Sequence, residues 1–223
     1  MVETLTVAVL GAPKVGKTAI IRQFLYHDFT EKYSPTEDRY IYRPSVMLNG
    51  NSYDLKVMDI PYVAAFPANS SQEWSDLKCW GLRNTDAYVL VYDICKMDFP
   101  DAARFMNLHT KALPGLLSHH PSKPEPPLRI LSSRTSNIGE APIIVVGSKR
   151  DLQRQRFTPR RTLSLLVKKT WKCGYMECSA KYNWHIVLLF KELLCSAVAH
   201  GCRSNHSAVR LQGALHTNRC SLM

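Results

Sequence analysis

The sequence predicts an α/β domain with a mostly parallel sheet and helices on both of its faces. Apolar runs of strand length, such as AYVLVYDI and PIIVVG, are continuous rather than alternating. Such runs are typical of parallel strands that are buried on both faces. Segments with a helical spacing of apolar residues alternate with these runs. A glycine-rich turn, GAPKVGKT, also joins the first strand to the first helix at residues 11–18.

Six strands and their connecting helices can be assigned in order along the chain. TLTVAVLG predicts the first strand, and GKTAIIRQFLY predicts the first helix. YIYRPSVMLNGNSYDLKVMD contains two strand-like runs around Asn49-Gly50, the strongest short-range hairpin signal. AYVLVYDI, PIIVVG and YMECSA complete the six strands. The last helix is predicted over about residues 184–199, where one face carries Ile186, Leu189, Phe190, Leu193 and Ala197.

Residues 1–200 are predicted to form this single domain, and residues 201–223 a flexible C-terminal tail. The segment from about residue 96 to residue 140 does not fit the pattern. It contains six prolines, and that density excludes a continuous helix. We interpret the segment as a disordered surface insertion, although an altered splice product or gene model would give the same pattern.

The charge of the chain is strongly basic and unevenly distributed. The formal net charge is +11, and residues 149–172 hold nine lysines and arginines but one acid, Asp151. Such a segment is either a solvated helix face or a site for an anionic partner. Because the segment contains no recognisable nucleic-acid module, an anionic membrane leaflet is favoured over nucleic acid.

The turn at residues 11–18 predicts a phosphate site because it matches G-x-x-x-x-G-K-[ST] between a strand and a helix. Successive backbone N–H groups and the helix N-terminus form a concave anion site. Lys17 adds a positive charge at the β- and γ-phosphates, and the Thr18 hydroxyl can bind Mg²⁺. An ordinary strand–turn–helix is the structural alternative. The predicted phosphate-binding residues are Gly11, Ala12, Pro13, Lys14, Val15, Gly16, Lys17 and Thr18.

Four further motifs follow the glycine-rich turn in a fixed order: YSPTED, VMD, GSKRD and ECSAK. Together these motifs resemble those of the Ras-like small GTPases, over residues 7–95 and from residue 141 to the end. With RQFLY, VYDIC and the terminal CSLM, the pattern is similar to that of the divergent Ras-like family member 10 group. The resemblance implies the P-loop NTPase (small GTPase) fold, with GTP or GDP as the bound nucleotide and Mg²⁺ as the cofactor.

The resemblance also implies roles for individual residues. Thr36 and Asp59 join Thr18 as Mg²⁺ ligands, and Lys17 and Thr36 are the catalytic residues. Asp151 can accept two hydrogen bonds from guanine N1–H and the 2-amino group, which adenine does not offer. Ser148 replaces the asparagine of the family, and this replacement predicts weaker nucleotide binding. The implied guanine-binding residues are Phe29, Ser148, Lys149, Asp151, Ser179, Ala180 and Lys181.

The segment after Asp59 departs from the family pattern D-x-x-G-Q. Tyr62 and Val63 occupy the positions of the glycine and of the glutamine that orients the attacking water. Pro13 and Lys14 also stand where the family usually has glycines. These departures predict slow intrinsic hydrolysis and insensitivity to the usual activating proteins. The alternative is that Gln72 or Glu73 positions the water.

The last four residues, Cys220-Ser-Leu-Met, fit the C-a-a-X pattern. The pattern predicts that a prenyltransferase adds a farnesyl group to Cys220, with methylation as an accompanying modification. One prenyl chain binds membranes only marginally. Palmitoylation of Cys195 or Cys202 and the basic residues are candidate second signals. The predicted location is the cytoplasmic side of the cell membrane, and the nucleus is the alternative because basic clusters also direct nuclear entry.

The sequence therefore predicts a membrane-anchored GTP-binding switch with effectors and an exchange factor that the sequence does not identify. Two rival functions remain open. One is a fully cycling GTPase, and the other is a pseudo-GTPase that serves as an interaction module without using nucleotide.

Overall fold

The computed structural model of the chain describes residues 3–62, 82, 85–96 and 141–205, with side chains up to residue 200. Several predictions fall outside the described residues. They concern Val63, Gln72, Glu73, the proposed insertion beyond residue 96, the side chain of Cys202, and the tail that carries Cys220.

The described strands form one mostly parallel sheet, which confirms the predicted α/β fold class. The strand order is β2-β4-β1-β5-β6-β7, and β3 also pairs with β4. Only β2 and β3 run antiparallel to their neighbour. The strands are β1 (Glu3–Leu10), β2 (Tyr40–Tyr42), β3 (Ser45–Leu48), β4 (Asn51–Asp59), β5 (Ala87–Asp93), β6 (Ile143–Ser148) and β7 (Gly174–Glu177).

Among the described residues the sheet has seven strands rather than the predicted six because the first arm of the hairpin is interrupted. Pro44 lies between β2 and β3, where proline cannot donate a ladder hydrogen bond. Its carbonyl instead accepts the N–H of Leu55 at 2.8 Å. The turn itself is as predicted. Asn49 and Gly50 both have positive φ, at 52° and 80°, as a two-residue hairpin turn requires.

Successive residues of the strands face two different cores, so helices cover both faces of the sheet. Val7 and Val9 pack against α1 (Lys17–Tyr26) and α3 (Ile186–Asn205). Ala8 and Leu10 face the opposite core, which includes α2 (Arg160–Leu165) and the π-helical turn Leu166–Thr170 that continues it. The α3 helix begins at Ile186, and the His185 carbonyl accepts its first hydrogen bond, from Leu189 at 3.0 Å.

The parallel strand order places the functional loops together. The carboxyl ends of β1, β4, β5, β6 and β7 meet at one edge of the sheet, where ligand sites of open α/β sheets form. The loops that leave this edge carry most of the residues singled out in the sequence. In the described part of the chain, no helix has the length and apolar character needed to cross a membrane.

Candidate nucleotide site

The phosphate-type loop between β1 and α1 needs glycine at two positions. Gly11 has φ 146°, and a Cβ there would lie 2.1 Å from the Val91 carbonyl oxygen of β5. Gly16 has φ 97° and directly precedes α1. Lys14, at a position where glycine is usual in the resembling family, also adopts a left-handed φ of 65°. Its side chain is exposed, and its ammonium lies 5.2 Å from the centre of the Tyr33 ring.

Lys17 is buried in this loop and donates to two backbone carbonyls. Its Nζ lies 2.9 Å from the Gly11 oxygen and 3.1 Å from the Ala12 oxygen. Burial lowers the pKa of Lys17, and the negative charge of Asp59 opposes that shift. Neutral carbonyls compensate a buried ammonium less well than an anion does. The Lys17 ammonium is therefore better compensated when an anion such as a phosphate binds to the loop.

Thr18, Thr36 and Asp59 come together beside Lys17, although they lie far apart in the sequence. Thr18 Oγ1 donates to Asp59 Oδ2 at 2.6 Å and lies 3.1 Å from Thr36 Oγ1. Asp59 Oδ1 is buried and has no hydrogen-bond partner. Burial raises the pKa of Asp59, while the Thr18 hydrogen bond and Lys17 oppose the rise. Two hydroxyls and a carboxylate with an unsatisfied oxygen fit Mg²⁺, which prefers oxygen ligands.

The other end of the site is formed by the loops after β6 and β7. Asp151 Oδ1 accepts a hydrogen bond from Ser179 Oγ at 2.6 Å, which holds the carboxylate in one orientation. Ser179 Oγ in turn accepts the Tyr182 N–H at 3.3 Å. Lys149 Nζ lies 2.7 Å from Oδ2 of the buried Asp93. The Lys149 ammonium is thus held by the protein, while its apolar stem lines the cleft.

Ser148 is the last residue of β6 and is only 3% exposed. Its Oγ lies 2.5 Å from the Val15 carbonyl and 2.9 Å from the Tyr92 carbonyl. The hydroxyl therefore connects the phosphate-type loop to β5. This contact was not predicted from the sequence, where Ser148 was assigned to guanine binding.

One cleft of about 790 Å³ joins the two ends, a volume in the range of small-molecule sites. Exposed Pro13 and Tyr62 and half-buried Phe29 also line it. Lys181 Nζ donates to Glu31 Oε1 at 2.6 Å, and this exposed ion pair joins the loops on either side of the base end. The cleft brings together the predicted residues Lys14, Val15, Gly16, Lys17, Thr18, Thr36, Ser148, Lys149, Asp151, Ala180 and Lys181.

Three acidic residues that organise this end of the sheet were not predicted from the sequence. Asp93 ends the apolar β5 strand as Asp59 ends β4, so the same signal was present. Glu31 gave no sequence signal because its partner Lys181 is 150 residues away. Glu177 is buried beneath the base end. Its two carboxylate oxygens each accept a hydrogen bond from one Arg156 guanidinium nitrogen at 2.8 Å.

A hydrogen-bonded chain continues from Glu177 to β5. Tyr175 donates to Glu177 at 2.7 Å, and its hydroxyl lies 2.9 Å from that of Tyr92. A Cβ on Gly147 would lie 2.8 Å from the Tyr92 hydroxyl oxygen, so this position accepts only glycine without a shift of the ring. These hydrogen bonds link β5 to β7, on either side of β6, and β6 ends at Ser148 and leads to the Asp151 loop.

Comparison with known proteins agrees with the geometry of the cleft. The Ras family model matches residues 6–112 and 129–199. The chain is 50% identical to human Ras-like protein family member 10B over 223 residues, which is all of both chains. It is 51% identical to human Ras-like protein family member 10A, over 99% of this chain and 98% of that one. The mouse GTP-binding protein Rhes is 26% identical over 85% of this chain and 63% of its own length.

Proposed function

The chain belongs to the Ras family of small GTPases, and we propose that it is a Mg²⁺-dependent switch, anchored at the cytoplasmic side of the cell membrane, that hydrolyses GTP slowly. Family membership establishes the coarser statement, a GTP-binding protein of signalling with GTPase chemistry. The observation that carries the finer proposal is the single cleft. It is lined at one end by a buried lysine and by two threonines, one of which donates to Asp59 behind it, and at the other end by an oriented aspartate.

We assign the phosphate end to the nucleotide phosphates and the metal. The backbone N–H groups of residues 11–18 and the Lys17 ammonium bind the phosphates, and Lys17 exchanges its two carbonyl partners for phosphate oxygens. Thr18, Thr36 and Asp59 hold Mg²⁺. When bound, the ion neutralises charge on the β- and γ-phosphates. Lys17 and Thr36 are the residues that contact the reacting phosphate.

We assign the base end to guanine. Asp151, oriented by Ser179, accepts from guanine N1–H and the 2-amino group. Phe29 and the stem of Lys149 supply apolar contact area, and the loop with Ala180 and Lys181 closes the cleft. Adenine has no 2-amino group and no proton on N1, so the Asp151 carboxylate would gain neither hydrogen bond from it.

Slow hydrolysis follows from the residues after Asp59. Pro61 has no backbone N–H to offer a phosphate, and Tyr62 is 41% exposed at the cleft. Val63 has no polar group with which to orient water. In GTPases of this class, positioning and electrostatic stabilisation account for nearly all of the catalysis. Without a positioning group the nucleotide is held longer in its triphosphate form.

The first test is the nucleotide that co-purifies with the full chain, released by heat and identified by chromatography. GTP supports binding with slow hydrolysis. GDP would overturn slow hydrolysis and favour the fully cycling GTPase. No nucleotide would overturn the switch and favour the interaction module. The double variant Tyr62→Gly/Val63→Gln is the matched control, since it restores the family residues and is expected to shift the bound nucleotide towards GDP.

The outer face of α2 and its π-helical turn supports membrane contact. Leu163 and Val167 face the core, while Arg161, Leu165 and Lys168 are exposed on the other side. Exposed apolar residues among cations suit a helix that lies on an anionic leaflet. Because α2 and α3 both return from the carboxyl edge of the sheet to its amino edge, Lys168 lies at the end from which the chain continues towards Cys220.

Vesicle binding of the farnesylated full chain tests this anchor. Binding to phosphatidylcholine vesicles that contain phosphatidylserine is expected to fall with Lys168→Glu/Lys169→Glu. The control Arg43→Glu/Lys56→Glu makes the same charge change on the side of the sheet formed by β2, β3 and β4, away from β6 and β7, and is expected to reduce binding less. Equal losses would contradict contact by this face. Full membrane binding by Cys220→Ser would contradict the prenyl anchor, and nuclear accumulation of the native chain would favour the alternative location.

A further inference from the structure

We infer that this site recognises guanine at its N1–H and 2-amino edge and that no side chain among the described residues recognises N7. The cleft should therefore bind 7-deazaguanine nucleotides as well as it binds guanine nucleotides. The inference rests on the proposed assignment of the base end to guanine. It deepens that assignment by identifying which edge of the base carries the specificity.

Guanine presents two chemically different edges. N7 and O6 are acceptors on one edge, while N1–H and the 2-amino group are donors on the other. The Asp151 carboxylate only accepts, so it can recognise only the donor edge. Recognition of N7 needs a hydrogen-bond donor that the protein does not already use elsewhere.

The hydroxyl of Ser148 is not available for this purpose. A hydroxyl has one proton to donate, and both neighbours of Ser148 Oγ, the Val15 and Tyr92 carbonyls, can only accept. Turning the proton towards a ligand would leave both carbonyls without it in a place where Ser148 is 3% exposed. Buried hydroxyl groups keep their hydrogen-bond partners, and two acceptors lie within reach here, so the proton stays with the backbone.

The other predicted guanine-binding side chains with donors are engaged as well. Lys149 Nζ is paired with Asp93 at 2.7 Å, and Lys181 Nζ with Glu31 at 2.6 Å. The Ser179 hydroxyl donates to Asp151 itself at 2.6 Å. Lys32 and Lys96 also line the cleft, but both are exposed, and an ammonium that keeps its water discriminates weakly between ligands.

Ser148 is therefore a positioning residue for the phosphate loop, through the Val15 carbonyl, rather than a reader of the base. The two roles predict different variants. Ser148→Ala removes the link to Val15 and should weaken all guanine nucleotides by the same factor. Ser148→Asn extends an amide donor further into the cleft and should create a preference for ligands that carry N7.

The experiment measures displacement of a fluorescent GDP from the nucleotide-stripped full chain in the presence of Mg²⁺. The competitors are GDP, 7-deaza-GDP and IDP, which lacks the 2-amino group. For the native chain and Ser148→Ala, the dissociation constants of 7-deaza-GDP and GDP are expected to agree within about threefold. Ser148→Asn should bind 7-deaza-GDP roughly tenfold more weakly than GDP. IDP should bind at least about tenfold more weakly than GDP to the native chain and to both variants.

Tenfold weaker binding of 7-deaza-GDP than of GDP by the native chain would overturn the inference while leaving guanine recognition intact. A change in this ratio in Ser148→Ala would also overturn it, because it would show that the hydroxyl reads the base. Failure of GDP itself to bind would instead overturn the proposed function of the cleft. The two kinds of failure are therefore distinguishable in one set of measurements.

Discussion

The two ends of the cleft are built on opposite principles. At the phosphate end, charged groups lack full partners, since Lys17 has only carbonyls and Asp59 Oδ1 has no hydrogen bond. At the base end, the side chains of Ser148, Lys149 and Ser179 are all bonded to other protein groups. The phosphate end therefore keeps charged groups that a ligand can pair with, whereas the side chains of the base end are already bonded within the protein.

The chemistry of the two halves of a nucleotide explains this difference. Phosphates and a metal ion bring full charges, which can compensate buried protein charges that the fold alone leaves unsatisfied. A base is neutral and is distinguished only by the direction of its hydrogen bonds. Directional recognition needs groups that are already oriented, because ordering them on binding costs free energy. The following substitutions test this contrast.

Lys17→Ala should have the largest effect on nucleotide binding. It removes the one buried ammonium of the phosphate loop, and GDP affinity should fall by about 4 kcal/mol, roughly a thousandfold. Isothermal titration of the nucleotide-stripped chain measures this loss. Lys14→Ala is the matched control in the same loop. Because Lys14 is exposed, this substitution should lower GDP affinity by less than about threefold. Similar losses in both variants would contradict a special role for the buried cation.

Glu177→Gln should have the largest effect on stability, since it breaks the buried pair with Arg156 beneath the base end. The free energy of unfolding should fall by about 3 kcal/mol in urea denaturation. Glu192→Gln, at an exposed position of α3, is the control and should change it by less than about 0.5 kcal/mol.

The same pair predicts a dependence of stability on pH. Burial raises the pKa of Glu177, but the bonds from Arg156 and Tyr175 outweigh it, so the pKa lies below its ordinary value of 4.5. The contribution of Glu177 is therefore fully present above pH 4.5 and is lost as the pH falls through the lower folded-state value. The free energies of unfolding of the native chain and of Glu177→Gln should therefore converge as the pH is lowered. A difference between them that stays constant with pH would contradict a lowered pKa for Glu177.

Asp59→Asn should have two opposite effects at the phosphate end. It removes a buried carboxylate whose pKa is raised by burial, so the metal-free chain should become more stable by about 1 kcal/mol. This gain should appear as the pH rises above the ordinary Asp value of 3.8, where the native carboxylate must ionise in a buried place. At the same time, Mg²⁺ should no longer tighten GDP binding. Thermal unfolding without ligand and GDP titration with and without Mg²⁺ separate the two effects.

Glu31→Gln should have the smallest effect, because its ion pair with Lys181 is exposed. The rate of GDP release should rise by about two- to threefold at low salt, and the difference should vanish at high salt. Stopped-flow release of fluorescent GDP measures it, with Glu37→Gln as an exposed control on the same segment. A large increase that persists at high salt would mean that this pair, rather than the interior bonds, closes the base end.

Local sequence patterns were sufficient for most of the fold and failed where a local break intervened. The apolar runs predicted β5 and β6, and Asn49-Gly50 predicted the two-residue turn with positive φ at both positions. The first hairpin arm was predicted as one strand but is two, because Pro44 interrupts the ladder. At the site, the motifs predicted which residues meet, including Thr18, Thr36 and Asp59.

By itself, the sequence determined the elements and the loop at residues 11–18, because glycine conformation and apolar periodicity act over a few neighbouring residues. Only the tertiary structure decided which partner each polar side chain takes. Ser148 bonds to Val15, 133 residues away, and Lys149 pairs with Asp93, 56 residues away. These partners are set by the parallel strand order, which brings distant strand ends to one edge, and no local pattern encodes the distance between them.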